Sequence, residues 1–207
     1  MERQQESFLT LLQEIRGEED TIRKRQFAGE TVEGVDLGGL DFDSVQWSRC
    51  QFRHCDFSRD GFYRTAFTDC CFSNCRFRGS YWRDSAMTDC KADGCDFLES
   101  KLKECTLSKT SLRYTNFSRS TWDHLRLQHC DLRESALSEM RLAKVDLERV
   151  ELSGAELFRT SFAGVDLSTC SIDGLVVSEN CGELRGARIG AEQAVEVAHL
   201  LGIEIVF

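Results

Sequence analysis

The 207-residue chain has no proline, no apolar run of the ~18 residues that a membrane-spanning helix needs, and no cysteine pair at zinc-ligand C-x-x-C spacing. It also lacks a basic, apolar leader at its start, so neither a signal peptide nor a membrane span is indicated, and a cytoplasmic location is expected. Its net charge of −9 provides no excess of basic residues to displace phosphate counterions, which argues against direct nucleic-acid binding. Neither a glycine-rich phosphate loop nor a metal motif is present, so no cofactor, no metal and no enzyme activity are expected.

What the chain does have is a period of five. From Leu37 to Val177 every fifth residue is a candidate centre, and 28 of the 29 are Leu, Phe, Ile, Val, Met or Trp, with Ala92 the exception. Two residues before each centre, 24 of 29 positions hold Cys, Ser, Thr, Val or Ala; the exceptions are Leu40, Asp60, Leu125, Met140 and Leu175. The register starts at Phe27 or Val32 and is firm from Leu37. A helix repeats near 3.6 and a strand at 2, so neither places these residues on one face. A chain that turns a corner after each five-residue side does, with the centre and the small residue inward. Four such sides make a 20-residue coil, and coils stack at about 4.8 Å.

The eleven cysteines acquire a plain meaning in this register. Nine of them (50, 55, 70, 75, 90, 95, 105, 130 and 170) share the small-residue phase, which reads as core packing rather than metal or disulfide chemistry. His54 and His129 precede cysteines, but neighbours in the chain face opposite ways here, so no Cys-His nucleophile is expected; His124 also faces outward, and His199 lies in the terminal helix. Ala92 predicts a local void or an inward shift of its neighbours, and Asp60 a carboxylate that either caps a backbone donor or is displaced outward.

The segments CDFSR from Cys55, VDLGG from Val35 and CDLRE from Cys130 follow a small residue, Asp, a central Leu or Phe, and two further residues. In this the chain resembles the pentapeptide-repeat proteins. The resemblance implies an all-β solenoid, a right-handed quadrilateral β-helix with short capping helices at both ends, of about seven and a half coils and roughly 36 Å.

The expected organisation is an N-terminal helical cap over residues 1–26, the β-helix over 27–189 and a C-terminal helix and strand over 190–207. Phe8, Leu11, Leu12 and Ile15 give the first helix an apolar side, with Gly17 placed to end it; a cap over the open first coil is one reading and a partner-binding helix the other. The register breaks at residues 178–183, where two extra residues shift the phase, and resumes with Leu184 and Ile189 as centres. The tail then reads as a short helix and a strand. Its apolar residues Ala194, Val195, Ala198, Leu201, Ile203, Ile205 and Phe207 form either a cap or a homodimer interface.

Charge is uneven: residues 46–83 carry a net +4, from Arg49, Arg53, Arg59, Arg64, Arg76, Arg78 and Arg83, whereas residues 131–179 carry −5. Sorted by side, Asp146, Glu148 and Asp166 share one side and Asp131, Glu134, Glu151 and Asp173 the next, forming an acidic candidate surface for a protein partner that Arg133 and Arg149 interrupt. The tail EQAVEVAHLLGIEIVF looks like the C-terminal module of Qnr-type and mycobacterial fluoroquinolone-resistance members of the family. That resemblance implies dimerisation through the C-terminus and DNA mimicry on a type II topoisomerase, DNA gyrase or topoisomerase IV. The chain differs from Qnr-type proteins in having no loop insertion between residues 37 and 177, and in its basic belt. Two functions therefore stay open, a general protein-interaction scaffold and a topoisomerase-binding DNA mimic.

Overall fold

The computed structural model describes residues 7–15 and 21–206; the Gly17 and Phe207 expectations, and the side chain of Ile15, lie outside the described residues. Three-residue strands pair in parallel with partners 20 residues away, Ile22 with Phe42, Phe42 with Phe62 and so on to Leu142. The first and second sides each carry a seven-stranded sheet, and the third begins with three strands, Thr31–Glu33, Gln51–Arg53 and Cys71–Ser73. The remaining contacts on the third and fourth sides are single parallel bridges such as Asp56 to Arg76 and Asn116 to Ala136. The solenoid register reaches back to Ile22, in the strand Thr21–Arg23. Arg25 and Glu30 hid this start in the sequence, because the first coil has no coil beneath it to bury their small-residue positions.

The corner is a residue two past the centre, held in the left-handed region at every coil up to Gly164 and again at Gly174, but not at Thr169 or Glu179. Gly94 sits there at φ 67°, but so do Lys109 at 48°, Tyr114 at 59° and His129 at 54°. Such a conformation costs about 1–2 kcal/mol for a non-glycine residue, so the coil must hold it in place. The backbone ladder does so: Arg59 N–H donates to the Arg78 carbonyl at 2.8 Å, Phe57 N–H to Arg76 at 2.7 Å, and Asp56 N–H back to Val35 at 2.9 Å. With three donors of a side committed to the coils above and below, proline has no place there.

On the fourth side the corner closes as a hydrogen-bonded turn, Asp60 N–H to the Phe57 carbonyl at 3.3 Å and Ser100 N–H to Phe97 at 3.0 Å. The Asp or Asn before the centre then has a definite task. Its side chain accepts the N–H of the residue after the centre, as Asp56 does from Ser58 at 2.9 Å, Asp96 from Leu98 at 3.0 Å and Asn116 from Ser118 at 3.0 Å. The third side changes from strands to such turns at Ala92, whose carbonyl accepts Cys95 N–H at 3.2 Å.

The interior is filled. Phe57, Phe77, Phe97 and Phe117 stack with centroids 4.8, 4.6 and 4.7 Å apart, the ring ladder that 20-residue spacing predicts. The small residues do more than fit. Cys55 Sγ donates to the Val32 carbonyl at 3.4 Å, Thr65 Oγ1 to Phe42 at 2.9 Å and Ser85 Oγ to Phe62 at 3.0 Å. Cys, Ser and Thr are thus interchangeable because each is a small donor to the carbonyl of a centre in the preceding coil. Asp60 stands in the same small-residue phase, fully buried, with Oδ1 accepting Gly39 N–H at 2.7 Å and Leu40 N–H at 3.1 Å, so it caps backbone donors and stays inward.

Helix α1, Phe8–Ile15, lids the first coil: Phe8, Leu11 and Leu12 are buried, and the Phe8 ring meets Phe27 at 5.3 Å and Trp47 at 4.9 Å. At the other end the two-residue insertion is explicit, because Asp166 bridges Arg188, 22 positions on rather than 20. Buried Glu183 closes the break, accepting Arg159 N–H at 3.2 Å, Ser178 N–H at 3.2 Å and Ser178 Oγ–H at 2.7 Å. Helix α2, Ala191–Leu200, follows, whereas residues 203–206 form no strand; Ile203 N–H instead donates back to the Ala198 carbonyl at 2.9 Å. Among the described residues no helix is long and apolar enough to cross a membrane.

Candidate partner-binding surface

Three residues of every side face outward: those flanking the centre and the corner residue. The second side carries Asp146 and Asp166 before the centre and Glu148 after it; the third carries Asp131 and Glu151 before, Asp173 after and Glu134 at the corner. The structure therefore brings all seven acidic residues onto two adjacent sides toward the C-terminal end. It also pairs most of them. Asp146 meets Arg126 at 3.0 Å, Asp131 meets Arg133 at 2.6 Å and Arg113 at 3.9 Å, and Asp166 meets Arg188 at 3.2 Å. Glu148 accepts a hydrogen bond from Gln128 at 2.8 Å and Asp173 one from Ser153 at 3.5 Å. Glu134 and Glu151 make no side-chain ion pair or hydrogen bond among the described residues. Partial burial alone would raise the Asp131 carboxyl, but the Arg133 guanidinium outweighs it and holds the group below the usual carboxylate range. Water screens exposed pairs of this kind, so they add little to stability and their main effect is to make the acidity patchy.

The basic belt is neutralised in the same way. Arg64 pairs with Asp43, Arg78 with Asp96, Arg76 with Asp56 at 3.0 Å, and Arg83 with Asp84 at 3.4 Å and Glu104 at 3.8 Å. Arg49, Arg53 and Arg59 have no such partner among the described residues. The missed signal is opposite charge 20 residues apart, as in Arg126 and Asp146 or Arg119 and Glu139.

The tail presents a second surface. Gln193 ties α2 to the last coil, donating to the Ser168 carbonyl at 3.2 Å and the Cys170 carbonyl at 3.0 Å, while Val197 and Leu200 pack partly against the core. The face carrying the expected interface residues points elsewhere: Ala194 and Leu201 are exposed, Val195 and Ala198 half-buried, Ile203 exposed and Ile205 half-buried. Val206, at 87% exposure, extends this apolar surface.

Grooves in the described surface are shallow. One of about 200 Å³ lies between α2 and the last coil, lined by Ile172, Asp173, Glu192 and Glu196, and one of about 360 Å³ crosses the corner near Cys71 and Lys91. His54 and His129 occupy corners while Cys55 and Cys130 are buried, so base and thiol are on opposite sides of the backbone. Burial pushes the Cys130 thiol up to about 11, the wrong direction for a nucleophile, whereas the Cys55 thiol is lowered by a hydrogen bond from Cys75, a neighbour in the core and not the His54 imidazole.

Sequence reasoning missed Phe158 and Val176, which are apolar at outward positions and are 41% and 39% exposed. The register itself could have found them, since each stands next to a centre.

The family model for the pentapeptide repeat region matches residues 76–137, and that for pentapeptide repeats (8 copies) matches residues 137–174. No protein of curated function matches the chain in sequence. Among solved structures, a trypsin-treated variant of QnrB1, a plasmid-mediated fluoroquinolone resistance protein, superposes with a TM-score of 0.61 at 17% identity, over 88% of this chain and 100% of that one. HetL, a pentapeptide repeat protein involved in heterocyst differentiation regulation in the cyanobacterium Nostoc, superposes with a TM-score of 0.52 at 14% identity, over 88% of this chain and 96% of that one. At these identities the likeness is one of fold.

Proposed function

The chain is a pentapeptide-repeat protein, and from that premise we propose that it acts without catalysis, as a cytoplasmic homodimeric scaffold that binds a protein partner through its outward side chains. The observation that carries this reading is the division of labour within each side. Two residues of five fill the core with stacked rings and small donors, and the other three form a regular outer lattice. Function then resides in which residues occupy that lattice, and the C-terminal half holds its acidic sides. Pairing through the tail is supported by the exposed Leu201, Ile203 and Val206, which a second copy would cover. Light scattering tests this: wild type should be a dimer and Leu201→Asp/Ile203→Asp a monomer, and an unchanged mass would move the interface elsewhere.

A second reading, DNA mimicry on a type II topoisomerase, draws support from the likeness to QnrB1 and from the acidic C-terminal sides. The ion pairs at Asp131, Asp146 and Asp166 make that surface less uniformly anionic than a duplex. Its test is the supercoiling activity of DNA gyrase under a fluoroquinolone. Protection by excess protein would favour it, and unchanged inhibition without gyrase binding would remove it.

A further inference from the structure

Of the exposed large hydrophobics of the solenoid, all but Ile189 fall on or beside one side. Phe158 and Val176 both lie on the fourth side, and Tyr114, 58% exposed, stands at the corner where the third side meets the fourth. Val176 bridges Glu156 in the adjacent coil, and Glu156 bridges Ala136 beyond it, so Ala136, Glu156 and Val176 form one row and Phe158 stands beside it. The outward neighbours of Phe158 along its own row are Ser138 and Ser178, too small to cover the ring.

The charges around this patch are predominantly acidic, although Arg141 on the adjoining side is exposed and makes no ion pair among the described residues. At one corner Arg119 and Arg159 are both held by Glu139, at 3.5 and 3.4 Å, and Arg119 also by Glu99 at 3.4 Å. Glu134, Glu156 and Glu179 are exposed and make no side-chain ion pair or hydrogen bond among the described residues. An apolar centre flanked by an excess of carboxylates disfavours anionic surfaces, nucleic acid and acidic lipid alike. It complements a polypeptide whose apolar side chains are flanked by Lys or Arg.

We propose that the C-terminal half of the fourth side is a docking surface for a basic polypeptide segment, with Phe158 and Val176 as apolar anchors, Tyr114 at its edge and Glu134, Glu156 and Glu179 as its charge partners. This deepens the scaffold reading and rests on it. It also moves the anchoring contact from the acidic second and third sides to the next one.

The probe is a fluorescein-labelled peptide of about 12 residues alternating Lys with Leu and Trp, followed by anisotropy at physiological salt against full-length protein. Oligolysine and the same peptide with Glu for Lys are the controls. Wild type should bind the Lys/Leu/Trp peptide at least about tenfold more tightly than either control. Phe158→Ser and Glu156→Lys should each weaken it by about tenfold or more, whereas Leu9→Ser, which removes an exposed apolar residue at the far end, should leave it unchanged. Equal binding of oligolysine, or full binding by Phe158→Ser, overturns the proposal. If Phe158→Ser turns a dimer into a monomer, a second copy occupies this face and the proposal fails. Val176→Ser and Glu179→Lys provide the same comparison should either first variant misfold. A partner that is lost on reversing the second- and third-side acids but kept by Phe158→Ser sinks this inference and leaves the scaffold reading intact.

Discussion

Replacing Asp60 with Asn gives a prediction whose size follows directly from the structure. Asp60 is fully buried, its Oδ1 accepts Gly39 and Leu40 N–H, and its Oδ2 has no partner among the described residues. Burial, reinforced by the carboxylates of Asp56 and Asp36 and opposed by the two backbone donors, pushes the group up to about 8. An ordinary Asp titrates at about 3.9, and the gap corresponds to roughly 5 kcal/mol favouring the neutral acid in the folded chain. Because the folded state holds the proton more tightly than the unfolded state, this contribution is complete below about pH 4. It is lost at about 1.4 kcal/mol per pH unit up to about pH 8, and is constant above. Asn keeps the shape and the Oδ1 acceptor but cannot ionise. Urea unfolding of both proteins from about pH 5 to about pH 9 should therefore show Asp60→Asn gaining on wild type by roughly 4 kcal/mol between about pH 5 and pH 8, then running parallel to it. Curves parallel throughout would refute the reasoning, since they would mean that the carboxylate ionises without penalty.

Other perturbations probe the remaining elements. Phe97→Ala breaks the ring ladder between Phe77 and Phe117 and should cost about 3–5 kcal/mol in urea unfolding. Gly94→Ala, at φ 67° with no atom within 4 Å of the place a methyl group would take, should cost about 1 kcal/mol through the backbone alone, and Lys109→Gly at φ 48° should recover a similar amount. Glu183→Ala leaves Arg159 and Ser178 N–H without their acceptor at the broken register and should lower the unfolding midpoint by the equivalent of about 1–3 kcal/mol. Burial works to raise the Glu183 carboxyl, but the Ser178 hydroxyl and the backbone donors prevail and hold it below the usual range. Its contribution is present above the unfolded value of about 4.3 and is lost as pH falls through the lower folded one, so wild type and Glu183→Gln should converge in acid.

The fold was legible because a five-residue period has no competing explanation. Ala92 could not disguise it, and the nine cysteines in the small-residue phase fell where Ser and Thr also fall. What the sequence concealed had physical reasons. Ile22 was hidden because Arg25 and Glu30, on a coil covered by helix α1 and not by another coil, need not be small. The carbonyl-binding role of Cys55 and the turn-capping role of Asp56 depend on directions that periodicity does not encode. The acidic surface was assembled on the expected sides and its interruption by Arg133 was legible two residues from Asp131, but its pairing with Arg126 and Arg188 required knowing which coil lies against which. The expected tail strand does not form because the chain turns at Leu201 and Gly202 and Ile203 N–H closes back on the Ala198 carbonyl, a direction that alternation of apolar residues does not encode.

The central claim, that a protein partner is held by the outward lattice of the C-terminal half, is tested most directly by quantitative affinity capture with three immobilised proteins. These are wild type, a variant with Asp131, Glu134, Asp146 and Glu148 changed to Lys, and one with Arg49, Arg53 and Arg59 changed to Glu. The account predicts a partner retained by wild type and by the arginine variant and lost from the acidic-side variant. A partner retained equally by all three, or lost only from the arginine variant, would contradict it.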